Sequence, residues 1–413
     1  MEKTESQSVW NGNFVMLTIG QVISLFGNAI LRFALPLYIL EISGSPALFG
    51  TVLALSAIPL VIMSPIGGIV ADRGNKKKII VSLDAATAIL ILIYMWASGF
   101  MSIIPITVAI MMALFSIQAM IVPAVDASVP LLIPADKLVK ANSVIFLNTS
   151  LSGILGPAIG GILFSRLGIN PILIVSAVIL ALAAIMEMFI RIPKVQQEAA
   201  GNVFLTIRSD MSKGIAFMIK KEPIIAGITI TLFFFQLSFA ALRTIGIPVL
   251  VSQNLGMYEY RVGIAQGVMA GGGILGGVLV GAIGDKLRLQ KAHWLLFSIG
   301  LPPMFIGLSF LLGAPAMIIY VIIITAFFVS TGLNTFFSIR VYSYIQSLPP
   351  ADMVGKVVSI FIAFGMIGLP LGQFIFGMFF ERFESQPWIA VFFAVIVSSL
   401  NALNSRRYFK AIK

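Results

Sequence analysis

The chain has 413 residues, 59% of them hydrophobic and 10% charged, with a mean hydropathy of +1.04. No soluble domain of this length can bury that much apolar surface, so most of it must face lipid. Cysteine is absent and His293 is the one histidine. That excludes disulfides and thiolate metal sites and removes most histidine chemistry, so no metal and no cofactor is expected.

In chain order, the polar start "MEKTESQSVWNGNF" is followed by no small-residue cleavage site, so the first apolar run is expected to be retained as a span. Crossing a bilayer takes about 20 apolar residues. Such runs fall near 14–40, 46–71, 79–98, 103–123, 142–164 and 168–190, then 224–250, 262–284, 292–312, 315–337, 356–380 and 387–405. The pattern predicts an all-α membrane protein of twelve transmembrane helices in two six-helix bundles, 1–190 and 223–413, joined by a cytoplasmic linker at 191–222. Within the linker Val203, Ile207, Met211, Ile215 and Met218 recur at helical spacing, the pattern of an amphipathic helix on the inner membrane face.

The net charge of +11 points to nucleic acid only until the charges are assigned to sides. With the N-terminus inside, 22 of the 27 Lys and Arg lie on the inner side; Arg166, Arg261 and Arg382 lie outside, and Arg32 and Arg243 lie within spans. This bias follows the positive-inside rule and predicts a cell-membrane protein with both termini cytoplasmic, surrounded by lipid and binding no nucleic acid.

The halves repeat. "GGIVADR" (67–73) returns as "VGAIGDK" (280–286), "PADKLVKANS" (134–143) as "PADMVGKVVS" (350–359), and Pro157 of "GPAIGG" aligns with Pro370 of "LPLGQ", at offsets of 213, 216 and 213 residues. Duplicated six-helix halves are the architecture of many secondary transporters.

With the repeat in view, G-x3-D-R-x-G-x-K-K between spans two and three resembles the signature loop of the major facilitator superfamily, and "GILGPAIGG" in span five resembles the glycine/proline motif of its exporters. "GQVISLFGNAILRFALPLYIL", "PADKLVKANS" and "MFIRIPK" are most similar to bacterial drug, macrolide and siderophore exporters of that superfamily. The resemblance spans the chain and implies two pseudo-symmetric bundles and alternating access. Asn75 departs from the loop, where a basic residue is common.

For the signature loop, one reading is a set of solvated charges. The family implies instead a cytoplasmic gate of Gly68, Asp72 and Arg73, with Asp72 facing the N-terminus of span eleven near Lys356, and Arg73 pairing with Asp126. A helix N-terminus favours such an anion by about 0.3–1 kcal/mol when exposed. Asp285 and Lys286 would be the weaker counterpart. Gly153, Gly156, Pro157, Gly160 and Gly161 give span five a small-residue face. That face serves close helix packing, with or without a role in restricting leak.

Arg32 in "AILRFALP" has a counterpart, Arg243 in "AALRTIGIP", at an offset of 211 in the equivalent span. Each lies about eight residues, or about 12 Å, before the outer end of its run. Charges at that depth cost a few kcal/mol and face a cavity or a partner. No acidic residue lies three or four positions away on either helix. Three readings stand: a bidentate site for a phosphate, carboxylate or sulfonate, structural bonds to backbone carbonyls and Glu41, or snorkelling to the outer headgroups. The placement resembles the paired arginines of the superfamily's organophosphate antiporters.

Asp84 is the candidate carboxyl for proton coupling, since Glu41, Glu187 and Glu381 are read as lying at span ends. Asn28, Gln236 and Gln373, with Gln21, Asn148, Gln266 and Asn334, are candidates for lining a path. No HExxH, GxSxG or Walker A loop occurs and no carboxylate pair is visible within a span, which argues against an enzyme or an ATP-driven pump. The expected function is a monomeric secondary antiporter that exports a small amphiphile, such as a drug or siderophore, in exchange for protons. The alternative is an organic-anion or organophosphate exchanger built on Arg32 and Arg243.

Overall fold

The computed structural model describes residues 11–193, 211–283, 289–350 and 353–412. They contain twelve helices long and apolar enough to cross a membrane. The first six are α1 (Gly12–Ser43), α2 (Pro46–Arg73), α3 (Lys76–Ala97), α4 (Ile103–Asp126), α5 (Leu138–Leu167) and α6 (Ile169–Glu187). The second six are α7 (Pro223–Asn254), α8 (Glu259–Ile283), α9 (Leu289–Leu311), α10 (Ala316–Ser347), α11 (Val354–Arg382) and α12 (Trp388–Lys410). All twelve predicted spans are present, with several helices extending beyond their apolar runs.

Local chemistry sets the boundaries. Gly44, with φ +63°, ends α1 in a left-handed turn that L side chains rarely adopt, and Pro46 opens α2 where its missing N–H costs nothing. The Asn75 side chain caps α3 by accepting a hydrogen bond from the Lys78 N–H at 3.1 Å.

The chain divides into two compact units, 1–39 with 55–200 and 40–54 with 201–413. In the first unit α3 packs along α4 and α6, and the starts of α1 and α3 meet the end of α4 around Leu17, Ile80, Ile121 and Ala124. In the second, α8 and α10 run so close that a Cβ on Gly272 or Gly276 would be driven into the Phe328 or Gly332 carbonyl. Residues 40–54 join this unit through Gly50, which sits on the Gln373 carbonyl, and through Glu381, which accepts hydrogen bonds from the Ser45 hydroxyl and the Ala47 N–H.

Of the expected amphipathic linker helix, Val203 and Ile207 lie outside the described residues. From 211 the chain is helical into a π-helical turn, Phe217–Lys221, with Phe217 and Met218 buried and Met211 exposed.

Candidate functional site

Arg32 lies on α1 with its side chain partly covered. Its Nε donates to the Asn28 carbonyl at 3.3 Å, and its guanidinium carbon stands 5.6 Å from the centre of the Phe115 ring on α4. Among the described residues it has no carboxylate partner, and Glu41 does not reach it. The small-residue face of α5 fits against this part of α1. A Cβ on Gly156 would stand 2.5 Å from the Ala29 Cβ, and one on Gly160 3.1 Å from the Phe33 ring. Gly153 faces open space, so the close approach rests on Gly156 and Gly160, with Gly161 buried and Pro157 half-buried.

Arg243 occupies a short α-helical stretch, Ala241–Pro248, between two π-helical turns, Gln236–Ala240 and Val249–Asn254. Such turns are rare and recur at functional positions. Arg243 is half-buried and, like Arg32, has no carboxylate partner among the described residues. Gln236 begins the first π turn, and Gln373 is buried in α11 with its Oε1 unpartnered.

The second unit also holds a cavity of about 290 Å³. Phe235, Phe337, Phe361 and Tyr342 supply much of its wall, and Thr231 and Asn334 are among its few polar groups. Thr231 spends its hydroxyl on the Gly227 carbonyl, and the Asn334 Oδ1 accepts from Ser338. Such a pocket favours an apolar or aromatic moiety with one or two polar contacts.

The main correction concerns the carboxyls. Asp84 is fully buried, at 0% exposure, and Glu187 lies beside it at 1%. A carboxylate pair is thus present inside the first unit, between α3 and the last turn of α6, although no pair was expected. Ser24 Oγ donates to Asp84 Oδ1 at 2.7 Å. Asp84 Oδ2, both Glu187 oxygens and the neighbouring Gln21 Nε2 are buried without a hydrogen-bond partner. Gly20 makes the room: a Cβ there would lie 2.8 Å from Glu187 Cγ.

Of the expected gate residues, Asp72 and Arg73 are the last two residues of α2, with side chains outside the description, and Asp285 and Lys286 lie outside the described residues. Asp126 ends α4, exposed, and Lys356 sits in the first turn of α11. Gly68 faces open space, whereas its neighbour Gly67 abuts the Ala119 carbonyl of α4.

The sequence model of the Major Facilitator Superfamily matches residues 17–373. Macrolide efflux protein A of Streptococcus pyogenes is 23% identical over 396 residues, covering 95% of each chain. The staphyloferrin B transporter of Staphylococcus aureus is 26% identical over 179 residues, 42% of each chain. Among solved structures, a point mutant of the nucleoside transporter NupG superposes with a TM-score of 0.78 at 15% identity, over 97% of this chain and 100% of its own. A D-xylose–proton symporter gives 0.71 at 14% identity, over 95% and 96%.

Proposed function

Because the chain belongs to the Major Facilitator Superfamily, we propose that it exports a small amphiphilic compound from the cell by alternating access, in exchange for protons. As a member it is a multi-pass membrane transporter and not an enzyme. The observation that carries export of an amphiphile is the aromatic-walled cavity of the second unit, whose few polar groups suit the apolar or aromatic part of a weakly polar molecule. The full-length likeness to a macrolide efflux protein supports the same class. Asp84 belongs to the coupling site, buried where a proton gained or lost changes a poorly screened local charge. The chain sits in the cell membrane with both termini cytoplasmic, and Asp72 and Arg73 at the end of α2 serve its inner gate with Gly68, Asp126, Asp285, Lys286 and Lys356.

A second reading has its own observation: Arg32 and Arg243 are guanidiniums inside spans that no carboxylate of the described residues neutralises. That arrangement suits an anionic substrate gripped bidentately, in an organic-anion or organophosphate exchanger.

Flux into proteoliposomes under an imposed pH gradient separates the two. A macrolide, a carboxylate siderophore and an organophosphate are supplied in turn to wild type and to Arg32→Gln/Arg243→Gln. Gradient-driven macrolide movement that survives the double substitution supports amphiphile export. Movement of the organophosphate alone, lost in the double variant, overturns it in favour of anion exchange.

A further inference from the structure

We propose that Asp84 and Glu187 hold a single shared proton, borne by Glu187, and that a polar ladder along α1 links the binding of that proton to the state of Arg32. The proposal deepens the proton-coupling reading, on which its role in transport rests.

Two ionised carboxylates are acceptors only, so neither can satisfy the other. Three of their four oxygens have no donor among the described residues, and both groups are buried away from water. Among the described residues, the basic groups on the elements packed around the pair are Arg32 on α1 and the lysines at the start of α3. α6 contributes only Glu187, and α1 contributes Gln21 and Ser24. On α3, Lys76, Lys77 and Lys78 stand eight, seven and six residues from Asp84 and Tyr94 ten, and α4 brings Asp126 at its last residue. A proton between the two carboxyls turns repulsion into a hydrogen bond.

The polarity of the surrounding hydrogen bonds assigns the proton. Arg32 Nε donates to the Asn28 carbonyl at 3.3 Å. Asn28 Nδ2 donates to the Ser24 carbonyl at 2.9 Å and to Ser24 Oγ at 3.4 Å. Ser24 Oγ donates to Asp84 Oδ1 at 2.7 Å. Every donor along the 24–28–32 stripe points toward Asp84, which stabilises a charge on Asp84 and so favours the proton on Glu187.

Loss of that proton sets a second negative charge at the foot of the ladder, with Arg32 as the one cation on its stripe. Ser24 and Arg32 are eight residues apart, about 12 Å of helix. At that distance one unit charge alters the affinity for another about tenfold under the screening typical of protein sites. Linkage is reciprocal: proton occupancy at the pair favours an anionic group at Arg32, and neutralising Arg32 tightens the hold on the proton.

Carbodiimide labelling tests this at equilibrium and without a substrate, because the reagent modifies protonated carboxyls in apolar surroundings. The full chain in liposomes is treated with dicyclohexylcarbodiimide across a pH series, and the adduct is located by mass spectrometry. The expected result is a label on Glu187 at neutral pH, absent from Glu187→Gln. In Arg32→Gln labelling should persist to higher pH, a tenfold effect corresponding to about one pH unit. In Ser24→Ala, Asp84 loses the hydroxyl that stabilises its charge, and labelling should also extend upward.

A label on Asp84, no label on either residue, or superimposable profiles for wild type and Arg32→Gln would overturn the proposal. If Glu187→Gln fails to fold, the position of the wild-type adduct and the Arg32→Gln profile still decide. The same liposomes read proton-driven flux separately. Labelling as expected without gradient-driven flux supports the proton-sharing pair and refutes only the coupling reading.

Discussion

Gly156 offers the sharpest test of how α5 meets α1. Replacing it with Ala puts a methyl 2.5 Å from the Ala29 Cβ, with the Ala29 backbone 3.5 Å away. Carbon atoms rest at about 3.5–4.0 Å, so the helices must part by about 1–1.5 Å or α1 must shift three residues from Arg32. Overpacking of this kind costs about 1–3 kcal/mol. Gly→Ala also favours a helix by about 1 kcal/mol, which obscures the effect in a single variant. Gly153→Ala on the same helix is the internal control, because its new methyl meets nothing within 4 Å. The helix-propensity contribution is common to both variants, so their difference isolates the clash. Thermal or denaturant unfolding of the purified protein in detergent should place Gly156→Ala about 1–3 kcal/mol below Gly153→Ala. Equal stability of the two variants would refute the close approach of α5 to α1.

The same reasoning separates Gly67 from Gly68: Gly67→Ala is driven into the Ala119 carbonyl and should fall about 1–3 kcal/mol below Gly68→Ala, whose methyl meets nothing, in the same unfolding assay. Arg261 stands 5.8 Å from the Tyr260 ring centre and 5.3 Å from that of Tyr320. Arg261→Leu should therefore cost about 0.5–1 kcal/mol, read by thermal unfolding, with little change in transport. Phe235→Ala removes aromatic wall from the cavity of the second unit and should weaken macrolide binding by about 1–2 kcal/mol, a roughly 5–30-fold rise in Kd by equilibrium binding.

Much of the scaffold was legible in the residues. Twelve apolar runs became twelve helices because a backbone in lipid must satisfy its own hydrogen bonds, and only helices or closed barrels do so. Gly44, Pro46 and Asn75 mark helix ends by local chemistry alone. Within the glycine motif, which residues meet a neighbour depends on where α1 lies: Gly156 and Gly160 touch it and Gly153 does not. At the signature loop the consensus position Gly68 is open, and Gly67 makes the contact with α4.

The carboxyl pair shows the limit most clearly. Glu187 is the last residue of its helix, which as a string of letters reads as an interfacial charge. Depth along one helix says nothing about what the neighbouring helices cover. Asp84 and Glu187 are far apart in sequence, and only the packing of α3 against α6, with Gly20 leaving space on α1, buries both together. Ser24, Asn28 and Arg32 stand at four-residue spacing, but spacing gives the stripe no direction, since a hydrogen-bonded ladder acquires an end only when an acceptor is placed at its foot. Composition and periodicity thus determined that the chain spans a membrane twelve times in duplicated halves, because lipid imposes those patterns on any single helix. Tertiary packing alone decided which buried polar groups face one another, because that is a property of pairs of helices.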